Sequence, residues 1–85
     1  MAKAQHAPEY REVPRLLRRI REQAGLTQRG LGARLRRPQS WIYNCETANR
    51  RIDVTEFARW ARACGVDPVD AFAQVLGETR RLPSR

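Results

Sequence analysis

Residues 27–46 read TQRGLGARLRRPQSWIYNCE and hold two short helical patterns joined by a two-arginine link. Thr27 is a good N-cap for a first helix over residues 28–35. Pro38 disfavours a helical residue before it, so a second helix is expected to start after it and to cover residues 39–46. The stretch therefore predicts two helices separated by a tight turn.

The second of these helices has two different faces. At about 100° per residue, one apolar arc is formed by Trp41, Ile42 and Cys45. The opposite face carries only amides and hydroxyls, from Gln39, Ser40, Tyr43 and Asn44. Amides bind adenine edges in a bidentate manner and hydroxyls bond to base edges, so this uncharged face favours reading of DNA bases over a merely polar surface.

The charge of the chain points to an acidic partner. Its 85 residues carry 17 basic and 9 acidic side chains, a formal net charge of +8, and the pI is about 11.2. Residues 1–51 hold 12 of the basic and 4 of the acidic side chains, so the excess lies in the first part of the chain. Sixteen of the cations are arginines, which suits bidentate phosphate contact and equally fits a GC-rich coding sequence. The pairs that flank residues 39–46 are candidates for phosphate contact: Arg36, Arg37, Arg50 and Arg51.

The rest of the chain also has helical periodicity. A first helix is predicted from Val13 to Ala24, and Gly25 stops it. Asp53 and Glu56 form a capping-box pattern for a fourth helix, and the Asp67-Pro68 pair opens a fifth. No strand alternation competes, so the predicted fold is an all-α bundle of five short helices. The predicted division is a flexible arm (1–12), one domain (13–77) and a frayed basic tail (78–85).

Composition argues against several classes of protein. Cys45, Cys64 and the single His6 are too few for a zinc site, and both cysteines are predicted to be small core residues in a reducing cytosol. No cofactor, metal or small-molecule ligand is indicated, and no nucleophile lies near a base, so an enzyme is not expected. No apolar run approaches a membrane span and no signal peptide is recognisable. We therefore expect a cytoplasmic protein with no membrane partner.

The sequence resembles the phage Cro and repressor-type helix-turn-helix proteins, the XRE family. The resemblance rests on the run LRRIREQAGLTQ over residues 17–28, on Leu31 and Leu35, on RPQS over 37–40, and on Ile42 and Glu46. It continues from RRID at residues 50–53 to Phe57 and through 61–68. It implies a compact five-helix Cro/lambda-repressor-like domain whose third helix enters the major groove of double-stranded DNA.

The resemblance also implies roles for individual residues. Base reading falls to Gln39, Ser40 and Asn44, and Tyr43 touches a phosphate or a thymine methyl. Phosphate contacts fall to Thr27, Gln28, Arg37, Arg50 and Arg51. Arg21 lies at the rim of the apolar stripe of the first helix and needs a partner, which the family supplies as Glu46. This ion pair is a structural contact.

Three positions depart from the family pattern. Arg36 and Ala48 stand where glycine is common, so we expect either different turns or left-handed residues that bear strain. Trp41 stands where smaller residues are frequent, and we expect it to pack in the core rather than to contact DNA.

These observations together predict a sequence-specific transcriptional regulator. We expect a repressor, acting on its own operon, that binds a palindromic operator as a homodimer. Dimerisation is predicted through the fifth helix and the end of the fourth, with Trp60 and Val75 at the rim. A phage, prophage or mobile-element regulator and an antitoxin with a toxin partner both fit. The alternative from another class is a basic nucleic-acid-binding protein without sequence preference, on DNA or RNA.

Overall fold

Five α-helices make up the protein in a computed structural model that describes residues 7–77. They are α1 (Glu12–Gln23), α2 (Gln28–Leu35), α3 (Gln39–Glu46), α4 (Val54–Ala63) and α5 (Pro68–Val75). No strand occurs within residues 7–77, which confirms the predicted all-α class. The predicted tail, 78–85, and the first six residues of the predicted arm lie outside the described residues.

The core lies between α1 and the other four helices. Its buried side chains are Leu16, Leu17, Ile20, Leu31, Ile42, Cys45, Trp60, Ala61 and Ala71. Trp60 is fully buried, and its indole N–H donates to the carbonyl oxygen of Leu17 at 3.1 Å. Its predicted place at the rim was therefore wrong, because the indole fills the core and satisfies its only donor there. Val75 packs against the core and is partly buried.

The turn between α2 and α3 is compact. Arg36 adopts a left-handed backbone with φ of 57°, and the Arg37 N–H donates to the Gly32 carbonyl at 2.9 Å. A Cβ added to Gly32 would lie 2.5 Å from the Arg37 carbonyl oxygen, so only glycine allows this approach. Thr27 caps α2, since its hydroxyl oxygen accepts from the Gly30 N–H at 2.9 Å.

The later helices have the predicted caps. The Asp53 carboxylate accepts from the Glu56 N–H at 2.7 Å, and the Glu56 carboxylate accepts from the Asp53 N–H at 3.0 Å. This reciprocal capping box confirms the start predicted for α4. Asp67 caps α5 through the Val69 N–H at 2.7 Å.

Ordered structure begins before the predicted domain boundary at residue 13. Pro8–Tyr10 form a short 3₁₀ helix, and the Tyr10 hydroxyl oxygen accepts from the Ile52 N–H at 3.0 Å. The described part of the predicted flexible arm is therefore tied to the chain that follows α3. Its anchor is an aromatic side chain that is partly buried and hydrogen-bonded.

Candidate nucleic-acid interface

The outer face of α3 is polar, uncharged and open. Gln39, Ser40 and Tyr43 are exposed and Asn44 is half-buried, whereas Ile42 and Cys45 on the inner face are fully buried. The structure thus places all four predicted base-reading residues together on one surface. An α-helix with such a face has the width and the donor and acceptor groups that the major groove admits.

A chain of hydrogen bonds runs from this face into the protein. The Gln39 amide donates to the side-chain oxygen of Gln28 at 2.6 Å, and the Gln28 amide donates to Glu46 at 3.1 Å. Gln28, predicted to contact a phosphate, therefore lies between Gln39, the first of the predicted base-reading residues, and a buried carboxylate. Amides linked in this way have fixed orientations before any ligand arrives.

Glu46 is also the partner of Arg21. Two guanidinium nitrogens of Arg21 donate to the Glu46 carboxylate at 2.6 and 3.0 Å, and a third donates to the Leu26 carbonyl at 2.8 Å. The bond to Glu46 raises the pKa of Arg21, despite partial burial that acts in the opposite direction. This fork-like contact joins α3 to α1, so the C-terminal end of α3 is held rigidly.

Three of the four arginines that flank α3 lie against aromatic rings. The guanidinium carbons of Arg37 and Arg50 lie 4.6 and 5.1 Å from the centre of the Trp41 ring, and that of Arg51 lies 5.7 Å from the Tyr10 ring. Arg37 and Arg50 are also ion-paired with Glu56, at 3.5 and 3.3 Å. Trp41 packs on Trp60 with ring centres 6.1 Å apart. Trp41 therefore packs against the core, as expected, and its ring also contacts Arg37 and Arg50.

The chain after α3 turns sharply. Ala48 has φ of 63°, so both positions where glycine was expected are left-handed, and the strained alternative is correct for both. The N–H groups of Asn49 and Arg50 both donate to the Asn44 carbonyl, at 2.9 and 3.2 Å. This tight turn brings the exposed side chain of Asn49 beside Asn44.

Sequence reasoning missed Asn49 and Glu56 as parts of this interface. Asn49 lies outside the helical pattern from which the other amides were found. Glu56 was identified only as a capping residue, and its contacts with Arg37 and Arg50 join three separate segments of the chain. No pattern within a single segment indicates them.

The two cysteines have unreactive surroundings. Burial raises the pKa of each thiol to about 11, so both are protonated at neutral pH. Residues 7–77 contain no group of three or more histidine, cysteine, aspartate or glutamate side chains placed to hold a metal ion. Over the same residues, no helix is both long enough and apolar enough to cross a membrane.

Comparison with known proteins gives the family. A helix-turn-helix domain family matches residues 12–74. A solved structure of an XRE-family like protein from Pseudomonas syringae pv. tomato str. DC3000 is similar, with 40% sequence identity and a TM-score of 0.76. The match covers 85% of this chain and 88% of that one. No curated protein matches significantly. The chain therefore belongs to the XRE family of helix-turn-helix proteins and is a DNA-binding regulator.

Proposed function

We propose that the protein is a sequence-specific repressor that binds a palindromic operator as a homodimer, with α3 in the major groove. The observation that carries this proposal is the outer face of α3. Four neighbouring side chains there offer amide and hydroxyl groups and no charge. A binder without sequence preference needs only cations, and it gains nothing from such a face.

The charges around α3 support binding to a duplex. Arg37 precedes the helix, and Arg50 and Arg51 follow it, so cations lie at both ends of the uncharged face. Phosphate contacts set the register of a protein on DNA, and base contacts in the groove then supply specificity. We assign the phosphate contacts to these three arginines together with Thr27 and Gln28 at the start of α2.

The homodimer is proposed on a different surface. Phe72 and Leu76 are more than half exposed, and so are Val54 and Val69. Phe72 meets Phe57 edge to face at 6.5 Å and lines a shallow hollow of about 100 Å³ with Val54 and Val75. Exposed apolar groups concentrated in one place mark interaction surfaces. The proposed interface is therefore α5 with the start of α4, and not the end of α4.

The decisive experiment is selection from a random double-stranded DNA pool at about 150 mM salt, where phosphate binding alone is weak. We expect an enriched inverted repeat, whose half-sites are about one helical turn apart. An enriched single half-site would support sequence-specific binding and contradict the homodimer. Binding to every sequence alike would overturn the proposal in favour of a non-specific nucleic-acid binder.

Two variants then test the base-reading residues on the selected operator. Gln39→Ala and Asn44→Ala should each weaken operator binding by about 1–3 kcal/mol and leave binding to random DNA unchanged. Arg15→Ala, on the exposed side of α1, is the control. Equal losses on operator and random DNA would contradict the assignment.

The dimer is tested by sedimentation of Phe72→Asp and of the unmodified chain. The new charge in the proposed interface should dissociate the dimer.

Repression is tested separately from binding. A reporter placed behind the selected operator should be less active when the protein is present, and Asn44→Ala should restore its activity. Reporter activity that rises with the protein would make it an activator. Capture of a toxin encoded beside it would instead favour an antitoxin.

A further inference from the structure

One aromatic ring serves both of the cations that flank α3. Arg37 lies before the helix and Arg50 after it, yet both guanidinium groups approach the ring of Trp41, which is on the helix itself. Stacking of a guanidinium on an indole is favourable because the ring face is electron-rich, and tryptophan is the strongest partner of this kind. The two side chains are thus fixed relative to α3 and to one another.

A single carboxylate completes the arrangement. One oxygen of Glu56 lies 3.5 Å from Arg37 and the other lies 3.3 Å from Arg50. Glu56 is itself held by the Asp53 N–H in the capping box of α4. The group of Trp41, Glu56 and the two arginines, which we call the arginine clamp, has one acid for two cations. It therefore keeps one net positive charge.

Trp41 is an unfavourable choice for packing alone. Its indole N–H is buried and has no hydrogen-bond partner within residues 7–77. A buried donor without a partner lowers stability, and a leucine or phenylalanine would avoid that penalty. The contacts that an indole makes better than either of them are those with Arg37 and Arg50.

The clamp leaves the arginines able to bind an anion. Their side chains are more than a third exposed. A guanidinium has five N–H donors in its plane, more than one carboxylate shared by two arginines can accept, and the contacts with Glu56 measure 3.5 and 3.3 Å. The attraction between the cation and the Trp41 ring uses no N–H donor, so the donors that Glu56 does not accept from remain for phosphate oxygens. Side chains that are ordered beforehand lose less entropy on binding.

We propose that Trp41, assisted by Glu56, is a positioning residue that presets Arg37 and Arg50 for the DNA backbone. Trp41 acts through the two arginines and touches no DNA. This inference rests on the proposed DNA-binding function, and it adds a determinant of affinity that lies behind the contact surface.

The test is a double-mutant cycle on the selected operator. Trp41→Leu should weaken operator binding by about fivefold, and Trp41→Phe by less, because phenylalanine binds cations less strongly. In a chain that already carries Arg37→Ala and Arg50→Ala, Trp41→Leu should change the affinity by less than about twofold. The slope of affinity against salt should stay the same for Trp41→Leu, because both arginines still reach phosphates.

Val66→Ala is the control for loss of packing, since Val66 packs on the core and follows the C-terminal end of α4, whereas Glu56 of the clamp lies near its start. It should lower the unfolding midpoint and leave operator affinity unchanged. An equal effect of Trp41→Leu with and without the two arginines would overturn the inference, and so would unchanged operator binding by Trp41→Leu. Failure of the unmodified chain to select any DNA would instead overturn the proposed function.

Discussion

Two sets of acid–arginine contacts of opposite character hold α3. At the inner side of the helix, Arg21 meets Glu46 at 2.6 Å, and their side chains are 10% and 2% exposed. At the outer side, Glu56 meets Arg37 and Arg50 at 3.5 and 3.3 Å, and those arginines are 38% and 39% exposed. The same two chemical groups thus build a rigid support in one place and an open cationic surface in the other. The depth of burial of the side chains decides which of these two roles the contact has.

The largest effect is expected from breaking the inner contact. Glu46→Ala leaves the Arg21 charge buried with no carboxylate closer than that of Glu22 at 3.9 Å, so the free energy of unfolding should fall by about 3–5 kcal/mol. Urea unfolding followed by circular dichroism measures this. Glu12→Ala is the matched control, because its pair with Arg15 is exposed and should contribute less than about 1 kcal/mol. Similar losses of unfolding free energy in the two variants would contradict the expected difference between a buried and an exposed ion pair.

Breaking the outer contact should change DNA binding and not the fold. Arg50→Ala should lower the slope of log affinity against log salt by about 1 and alter stability by less than about 1 kcal/mol. Titrations of operator at several salt concentrations give the slope. Arg18→Ala removes the same charge from α1 and should leave the slope as it is. A slope that Arg50→Ala does not change would show that Arg50 binds no phosphate.

Relief of the backbone strain next to α3 should raise the stability of the protein without changing either set of acid–arginine contacts. Ala48→Gly relieves a left-handed alanine without changing any charge, so the protein should gain about 0.5–1 kcal/mol of stability. Ala33→Gly, within α2, is the opposite control and should lose about 1 kcal/mol. Denaturant unfolding of the two variants tests this. A loss in Ala48→Gly would mean that the turn after α3 is not strained.

The smallest effect concerns the capping box that also holds Glu56. Hydrogen bonds from the Glu56 N–H and the Thr55 hydroxyl lower the pKa of Asp53 from its usual 3.8. A lowered pKa contributes stability above the unfolded value, and that contribution is lost as pH falls through the folded value. Asp53→Asn keeps the cap shape and cannot titrate, so the unmodified chain should be slightly more stable at pH 7 and should lose this advantage below about pH 4. Thermal unfolding across pH 3–7 measures the difference. A constant difference would contradict it.

Local patterns predicted most of the fold. The bounds of α2 and α3 and the capping box of α4 each depend on neighbouring residues, because a helix is formed by groups three or four residues apart. The uncharged face of α3 was visible for the same reason. The burial of Trp60 could not be predicted in this way. A side chain at the rim of an apolar stripe and one at its centre differ in burial only because of what packs against them in the folded protein.

The amino-acid sequence alone is enough to predict the helices, the uncharged face of α3, the excess of cations and the resemblance to the helix-turn-helix family. The role of each arginine depends instead on how the helices pack. Arg21 lies under α3 with Glu46, whereas Arg37 and Arg50 share Trp41 and Glu56 at its side. The physical reason is that the strength and availability of a charge depend on burial and on partners from distant segments, and neither is encoded by spacing along the chain.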